Sequence, residues 1–176
     1  MSKNIEIKST IPDCERIKER LTCFGIREAY TMRQQDIFYR FPFGRLKLRS
    51  IDEKQHELIV YFRSNSKKPK SSKYHRIRTT NPHMVDKVLT YLFGVRGVVE
   101  KERLLFLQNN IRFHIDKVKN LGNYFEIEYV ISDSSSETGA YQKVESLLEM
   151  LEISNSQLVS NSYIDLLSGG GNASTR

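Results

Sequence analysis

Two neighbouring segments of this chain alternate charged and apolar residues with a period of two. In segment 112–116, Arg, His and Asp are separated by Phe and Ile, and in segment 125–129 two Glu alternate with Phe, Ile and Tyr. Because a β-strand places alternate side chains on opposite faces, each segment has one charged and one apolar face. The pattern recurs in segments 4–8, 45–49 and 101–104. The sequence therefore predicts a sheet with one strongly charged face.

The charges on these faces could act together on a polyphosphate. Arg is frequent, and its guanidinium binds phosphate oxygens through paired hydrogen bonds. The carboxylates lie near the two ends of the chain, so a sheet that closes would bring them together. Clustered carboxylates repel unless a cation neutralises them, and hard oxygen ligands suit Mg²⁺ or Mn²⁺. We therefore expect a ligand with three adjacent phosphates beside a cation held by Glu6, Asp116, Glu126 and Glu128.

Several alternatives stay open at this point. A one-sided sheet whose polar face is wetted by solvent would show the same alternation. His114 could act as a general base or as a hydrogen-bonding contact to phosphate. Tyr61 and Arg63 would face the same cavity, where packing alone could also explain them. The sequence has neither a Walker loop nor a Gly-rich dinucleotide turn, and its His and Cys residues lack the spacing of a zinc site.

The chain of 176 residues has a formal net charge of +7, which favours a polyanionic partner. Most Lys and Arg residues outside the loops alternate with apolar residues inside strands, which favours a lined channel over a surface stripe. We therefore expect a small triphosphate compound rather than nucleic acid. The lysines of the polar loop 64–72, which we expect to be mobile, are the exception, and nucleic acid bound there would show a steep salt dependence.

The sequence favours a reduced, cytoplasmic protein that does not enter a membrane. No apolar run approaches the roughly 20 residues of a transmembrane helix. Residues 1–8 are polar and lack the apolar core of a signal peptide. Cys14 and Cys23 fall nine residues apart in a predicted helix, which is too far for a disulfide. A homodimer stays open.

The patterns predict an α+β fold in which eight antiparallel strands close into a barrel, or tunnel, with flanking helices. Apolar spacing predicts helices over 12–24, 83–93 and 137–151. In the second helix we expect Val85, Val88, Leu89 and Leu92 to form the buried stripe. The predicted strands cover 3–10, 35–41, 45–51, 56–63, 73–79, 98–107, 110–117 and 123–131. We expect one domain over 1–168 and a flexible C-terminal tail over 169–176.

The strand-helix unit from residue 6 to 25 resembles the unit from 76 to 94, since each has a strand, a Pro before the helix and a closing Phe-Gly. A duplication of this kind would give two pseudo-symmetric halves within one sheet system.

The chain resembles the CYTH domains, or triphosphate tunnel metalloenzymes, which include class IV adenylyl cyclases and thiamine triphosphatases. The likeness extends over essentially the whole chain and is strongest to the class IV adenylyl cyclase-like branch. Its motifs are Glu6-Ile7-Lys8, Gln35-Asp36-Ile37-Phe38-Tyr39, Gly44-Arg45-Leu46-Lys47-Leu48-Arg49, Lys101-Glu102-Arg103, Arg112-Phe113-His114-Ile115-Asp116, Leu121-Gly122, Glu126-Ile127-Glu128 and Ser162-Tyr163-Ile164-Asp165-Leu166-Leu167.

The resemblance implies an eight-stranded tunnel that holds Mg²⁺ or Mn²⁺ by carboxylates and a triphosphate by Arg and Lys. The implied metal ligands are Glu6, Glu126 and Glu128, with Asp116 as a further one. The implied phosphate contacts are Lys8, Lys47, Arg49, Lys101, Arg103 and Arg112, to which we add Arg63, Arg76 and His114 as candidate substrate contacts. Glu6 and Lys8 are the candidate catalytic residues, Glu6 through the cation and Lys8 by orienting or deprotonating a water.

Two departures from the family pattern bear on the cation. Asn4 stands where the family has the first of two Glu residues, which removes one negative charge. The segment 74–78 often carries acidic residues in the family, whereas this chain has His75, Arg76 and Arg78. Both changes favour retention of an anion over retention of a metal.

Three functions follow, in order of preference. The first is a metal-dependent hydrolase of tripolyphosphate, a nucleoside triphosphate or thiamine triphosphate. The second is an adenylyl cyclase that converts ATP to cyclic AMP and pyrophosphate, although no residue pattern identifies an adenine pocket. The third is a protein that binds a polyphosphate or nucleotide without turnover.

Overall fold

The alternating segments form the strands of one closed barrel, which a computed structural model describes over residues 2–132 and 136–169. The strands are β1 (Ser2–Thr10), β2 (Glu28–Tyr39), β3 (Arg45–Ile51), β4 (Gln55–Arg63), β5 (Lys70–Arg78), β6 (Val95–Gln108), β7 (Ile111–Val118) and β8 (Gly122–Val130). The helices are α1 (Cys14–Cys23), α2 (Pro82–Phe93), α3 (Glu137–Met150) and α4 (Tyr163–Leu167).

Each strand pairs with two antiparallel neighbours in the circular order β1-β5-β4-β3-β2-β6-β7-β8. The first and last strands lie side by side, with Glu6 opposite Glu128 and Lys8 opposite Glu126. Cross-strand partners share a face of the sheet, so this register gathers acids and a lysine on one inner wall. The predicted α+β fold with a closed eight-stranded antiparallel barrel and flanking helices is confirmed.

The main hydrophobic core lies outside the barrel. Outward-facing residues of β1, β7 and β8, including Ile7, Phe113 and Ile127, are at most 2 % exposed and pack in one cluster with residues of α1 and α3. A smaller cluster joins α2 to the outer faces of β2 and β3. Because strand side chains alternate, the inner faces are left to polar and charged residues.

Three strands begin three or more residues earlier than predicted, and one of them is β6, which starts at Val95 instead of residue 98. β2 starts at Glu28 instead of residue 35. The sequence does not reveal the first part of this strand, because residues 28–34 are mostly exposed and show no apolar alternation. β5 starts at Lys70, so the end of the predicted mobile loop belongs to the sheet. Lys70 is 3 % exposed, and its Nζ donates to the carbonyl oxygens of Ser66 at 2.7 Å and Ser160 at 3.3 Å.

The second helix is less buried than predicted. Val85 and Leu89 pack against the smaller cluster, as expected, but Val88 and Leu92 are 47 % and 60 % exposed. The helix rests mainly on β2 and β3, and a narrow apolar stripe is enough to cover that contact. The helical period does not reveal α4, since its five residues are too few to show one.

The strand order has the twofold symmetry that the internal repeat predicts. Exchanging β1–β4 with β5–β8 maps the circular order onto itself, and a helix follows the first strand of each half. Within the described residues, no helix is long and apolar enough to cross a membrane. Of the predicted tail, residues 170–176 lie outside the described residues.

The placement of the core predicts which apolar residues stabilise the barrel. Ile127→Ala should lower the free energy of unfolding by about 2–5 kcal/mol, because it leaves a cavity under the helices. Ile77→Ala, on a strand position that is 63 % exposed, is the matched control and should change it by less than about 0.5 kcal/mol. Urea denaturation measures both, and equal effects would contradict an external core.

Candidate functional site

The interior of the barrel forms a cavity of about 140 Å³ to which all eight strands contribute side chains. Eight basic side chains face four carboxylates along its walls, so the lining carries a net positive charge. The structure brings together the sequence candidates Glu6, Lys8, Lys47, Arg49, Arg63, Arg76, Lys101, Arg103, Arg112, Glu126 and Glu128 on this lining. Such a surface suits a polyanion.

One basic group is organised by Asp116. Lys101 and Arg103 project from β6, and Asp116 lies opposite Arg103 on β7. Asp116 accepts hydrogen bonds from Lys101 Nζ at 3.0 Å and from Arg103 Nε and Nη2 at 2.5 Å each. Tyr163 Oη donates to the same carboxylate at 2.8 Å.

Asp116 therefore occupies the position of a counterion. Its side chain is fully buried beneath the lining, and both of its oxygens accept hydrogen bonds from basic groups. Burial opposes its ionisation, but Arg103 and Lys101 outweigh that effect and hold the pKa of Asp116 well below its usual range. The expectation that Asp116 is a metal ligand does not fit this arrangement, because a cation would have to displace two fixed basic groups.

A second basic group has the same construction on β3 and β2, of which β2 is the neighbour of β6 in the barrel. Lys47 and Arg49 project from β3, and Asp36 lies opposite Arg49 on β2. Asp36 accepts from Lys47 Nζ at 2.8 Å and from Arg49 Nε and Nη2 at 2.7 and 2.8 Å. Burial opposes ionisation of Asp36, yet Arg49 and Lys47 lower its pKa well below the usual value.

Sequence analysis assigns no role to Asp36, although the residue belongs to one of the quoted motifs. The inner face of β2 has Gln34 and Phe38 on either side of it, so no run of alternating charge marks the position. Charge pairing could have identified it. Two buried bases on one strand need an acidic partner, and an inward-facing Asp on the neighbouring strand can supply it.

The short helix α4 lies across one end of the cavity. Tyr163 and Ile164 pack with Val118 and Tyr124, at the end of β7 and the start of β8. Asp165 anchors the helix by accepting from Arg45 at 3.0 Å and from Arg96 at 2.6 Å. This end of the barrel is therefore filled by protein.

The ring of Tyr163 also contacts the deepest lysines. Lys8 Nζ lies 3.8 Å from the ring centroid and Lys101 Nζ lies 5.0 Å from it, distances typical of cation–π contact. Lys8 Nζ is in addition 3.2 Å from Glu126 Oε1. Tyr163 is a site residue that the sequence analysis quotes in a motif without giving it a role.

The acidic wall joins β1, β7 and β8. Glu126 lies beside Arg103 Nη2 at 2.8 Å, and Glu6 Oε1 accepts from Arg63 Nη1 at 2.6 Å. Burial opposes ionisation of Glu126, but Lys8 and Arg103 hold its pKa well below the usual range. Glu126 is therefore a charged carboxylate at neutral pH.

His114 lies beside Glu126 in the register of β7 and β8 and is not among the residues that line the cavity. Its Nδ1 is 3.7 Å from Glu126 Oε2 and 3.9 Å from Glu128 Oε1. The expected direct contact of His114 with substrate does not fit this position, because the imidazole is buried and its Nδ1 faces the two carboxylates.

The open end of the cavity is formed by Asn4, Tyr74, Arg76 and Arg112 with Glu128. Asn4 Nδ2 donates to Glu128 Oε2 at 3.4 Å, and Tyr74 Oη donates to Asn4 Oδ1 at 3.5 Å. The Arg76 side chain is 47 % exposed and lies 5.7 Å from the Tyr74 ring centroid. An organic group attached to a phosphate chain would have to lie at this end.

The donor set of the acidic wall fits a divalent cation. One ligand atom each from His114, Glu126 and Glu128 lie within 4.8 Å of one another. Glu6 is adjacent, since it lies opposite Glu128 in the barrel register. Glu126 and Glu128 would hold such a cation, which would supply positive charge beside the basic walls of the cavity.

The buried Lys47 predicts a pH dependence of anion binding. Burial and the neighbouring Arg49 lower its pKa to about 7, although Asp36 opposes the shift. Because only the charged form attracts phosphate, tripolyphosphate affinity should fall as the pH rises through that value. Lys47→Arg keeps its positive charge across this pH range. The affinity of this variant for tripolyphosphate should therefore fall less than that of the wild type, by up to about tenfold, which is the contribution of one charge-assisted hydrogen bond. Calorimetric titration of the wild type and of Lys47→Arg with tripolyphosphate, from about pH 6 to pH 9, measures both affinities. Protonation of the ligand affects both proteins equally, so parallel plots of affinity against pH would contradict the prediction.

Comparison with known proteins agrees with this architecture. A "Putative adenylate cyclase" of Methanocaldococcus jannaschii is 26 % identical over 174 residues, which cover 92 % of this chain and 97 % of that protein. A structure from Pyrococcus horikoshii has a TM-score of 0.83 at 22 % identity, covering 94 % of this chain and 99 % of its own.

A Hippeastrum protein, described as a "putative adenylyl cyclase" with a dominant triphosphatase activity, has a TM-score of 0.68 at 14 % identity over 97 % of this chain and 96 % of its own. At these identities the solved structures show the shared fold. The model of the CYTH domain matches residues 2–163. The chain therefore belongs to the CYTH domain family.

Proposed function

We propose that this protein is a metal-dependent hydrolase that removes the terminal phosphate from a triphosphate compound bound inside the barrel. The observation that carries the proposal is the pair of Lys-x-Arg groups, Lys47 with Arg49 and Lys101 with Arg103, each fixed by a buried Asp. These groups face an acidic wall across the same cavity.

The two fixed basic groups suit a chain of phosphates better than a single anion. Each Arg uses Nε and Nη2 to hold its Asp, which leaves Nη1 for a phosphate oxygen. Because the guanidinium groups are already held in place, little side-chain entropy is lost when the ligand binds. Arg63 and Arg112 extend the basic surface toward the neighbouring walls.

The cation would be held by Glu126 and Glu128, with Glu6 as the adjacent carboxylate. When bound, Mg²⁺ or Mn²⁺ supplies a positive charge that polarises a phosphoryl oxygen. Glu6 is bonded to Arg63, so it can approach the other two carboxylates only as that ion pair loosens. Arg63 would then be released toward a phosphate oxygen.

The closed end determines the direction in which the substrate lies. Since α4 fills one end, the terminal phosphate points toward Lys8 and Tyr163, and any organic group lies at the open end. Lys8, held between Glu126 and the Tyr163 ring, would orient the attacking water. The water oxygen bonds to the terminal phosphorus, the bond to the bridging oxygen breaks, and one proton leaves for solvent.

Phosphate release from tripolyphosphate, ATP and thiamine triphosphate, with Mg²⁺ or Mn²⁺, tests the hydrolase. Glu126→Gln should lower turnover by about 100-fold or more, because it removes a fixed charge next to the reacting phosphates. Glu100→Gln, on an exposed position of β6, is the matched control and should retain activity. Wild-type release no greater than that of Glu126→Gln would refute the proposal.

Adenylyl cyclase activity is the second candidate, because the 26 % identical Methanocaldococcus relative bears that name. In this reaction the ribose 3′-hydroxyl attacks the α-phosphorus and pyrophosphate leaves. Cyclic AMP formed from ATP, measured beside phosphate release, distinguishes the two enzymes. Tight binding of tripolyphosphate that ignores added Mg²⁺ and yields neither product would instead identify a non-catalytic binding protein.

A further inference from the structure

His114 is a buried imidazole with an unsatisfied nitrogen. The residue is 4 % exposed, and across residues 2–132 and 136–169 its Nδ1 has no hydrogen-bond partner. A buried polar atom left without a partner is destabilising, so its presence in a folded protein calls for an explanation such as a bound ion.

The nitrogen points toward two carboxylates at distances that do not suit hydrogen bonds. Nδ1 is 3.7 Å from Glu126 Oε2 and 3.9 Å from Glu128 Oε1. Hydrogen bonds to carboxylates are about 2.7–3.2 Å long. Two ligands on one ion, each about 2.0–2.2 Å from it, are separated by roughly 3–4 Å. The spacing is that of atoms that share a cation.

The other contacts of these carboxylates leave a place for that cation. Glu128 Oε2 faces Asn4 and Arg112, so its Oε1 is the atom turned toward the imidazole. Glu126 Oε2 also accepts from Arg103 at 2.8 Å, and Oε1 faces Lys8 at 3.2 Å. Glu126 therefore has to share one oxygen between the cation and Arg103, whereas Glu128 and His114 are oriented for ligation already.

We propose that His114 Nδ1 is a ligand of the cation, together with Glu126 and Glu128, and that this nitrogen makes the site selective for a transition-metal dication over Mg²⁺. The inference rests on the cation of the proposed function and assigns its third ligand. Imidazole suits Fe²⁺, Ni²⁺, Cu²⁺ and Zn²⁺ best, and Mn²⁺, the weakest-binding ion of that series, accepts it more readily than Mg²⁺, which prefers an octahedron of oxygen atoms. To bind a cation through Nδ1, the imidazole would have to carry its proton on Nε2.

The proposal also accounts for Asn4. An amide in place of a carboxylate removes one charge from the wall, and Asn4 Nδ2 is turned toward Glu128 Oε2 rather than offering it an oxygen. A site with fewer negative oxygens binds Mg²⁺ weakly. A nitrogen ligand offsets this loss of affinity for a transition metal but not for Mg²⁺.

Electron spin-echo spectroscopy of bound Mn²⁺, with ¹⁵N-histidine labelling of the full chain, tests the ligand directly. The wild type should show coupling of a histidine nitrogen to Mn²⁺, and His114→Gln should lose it. His75→Gln, at an exposed position on β5, is the matched control and should keep it. Calorimetry should show that His114→Gln lowers the ratio of Mn²⁺ to Mg²⁺ affinity at least about tenfold, the lower end of the effect of altered metal ligation.

The outcomes separate this inference from the proposed function. Mn²⁺ bound without nitrogen coupling overturns the role of His114, while phosphate release still decides the hydrolase. Nitrogen coupling without phosphate release supports the ligand and refutes the hydrolase. If no Mn²⁺ binds to the wild type, with or without tripolyphosphate, the metal site is refuted in both. Far-ultraviolet circular dichroism confirms that each variant is folded.

Discussion

The structure depends on the neutralisation of charge inside the barrel. Lysines and arginines on the inner faces are largely removed from water, and unpaired they would carry a desolvation cost far beyond what packing could offset. Asp36 and Asp116 each pair with a Lys and an Arg on the adjacent strand and offset one of the two positive charges. These pairs fix the side chains in extended positions along the wall. The same pairing that allows the basic groups to be buried therefore prepares them for a phosphate chain.

A charged interior forces the rest of the fold to be arranged around it. Since the inner faces carry charge, apolar side chains can be buried only on the outer faces, and those faces need helices to cover them. Two helices cover the outer faces in the main core: α1, which follows the first strand, and α3, which follows the last. Both cover the β1-β8 seam, where the acidic wall lies. Helices thus pack behind the wall that carries Glu6, Glu126 and Glu128, and such packing helps side chains of a site to hold their geometry.

Much of the fold could be predicted from the sequence, because alternate residues of a strand lie on opposite faces and a period of two therefore identifies a strand with one charged and one apolar face. Lys47 with Arg49, and Glu126 with Glu128, show it plainly, and their strands end close to the predicted residues. Asp36 could not be recognised in this way, since a single charge makes no pattern. Tyr163 lies on a helix of one turn, and its ring is brought to Lys8 only by the closing of the barrel. Residues that act through partners distant in the chain are the ones that alternation does not reveal.

The two halves of the barrel are symmetric in topology but differ in which strands carry the acids and the bases. In the first half the Asp lies on β2 and the bases on β3, whereas in the second half the bases lie on β6 and the Asp on β7. The exchange relates β4 to β8, yet β4 brings Tyr61 and Arg63 to the cavity where β8 brings two Glu. A symmetric distribution would give two equivalent half-sites for the same ion. The inverted one places carboxylates on one wall and basic side chains on the others, so the two ends of an elongated anion would meet different surroundings.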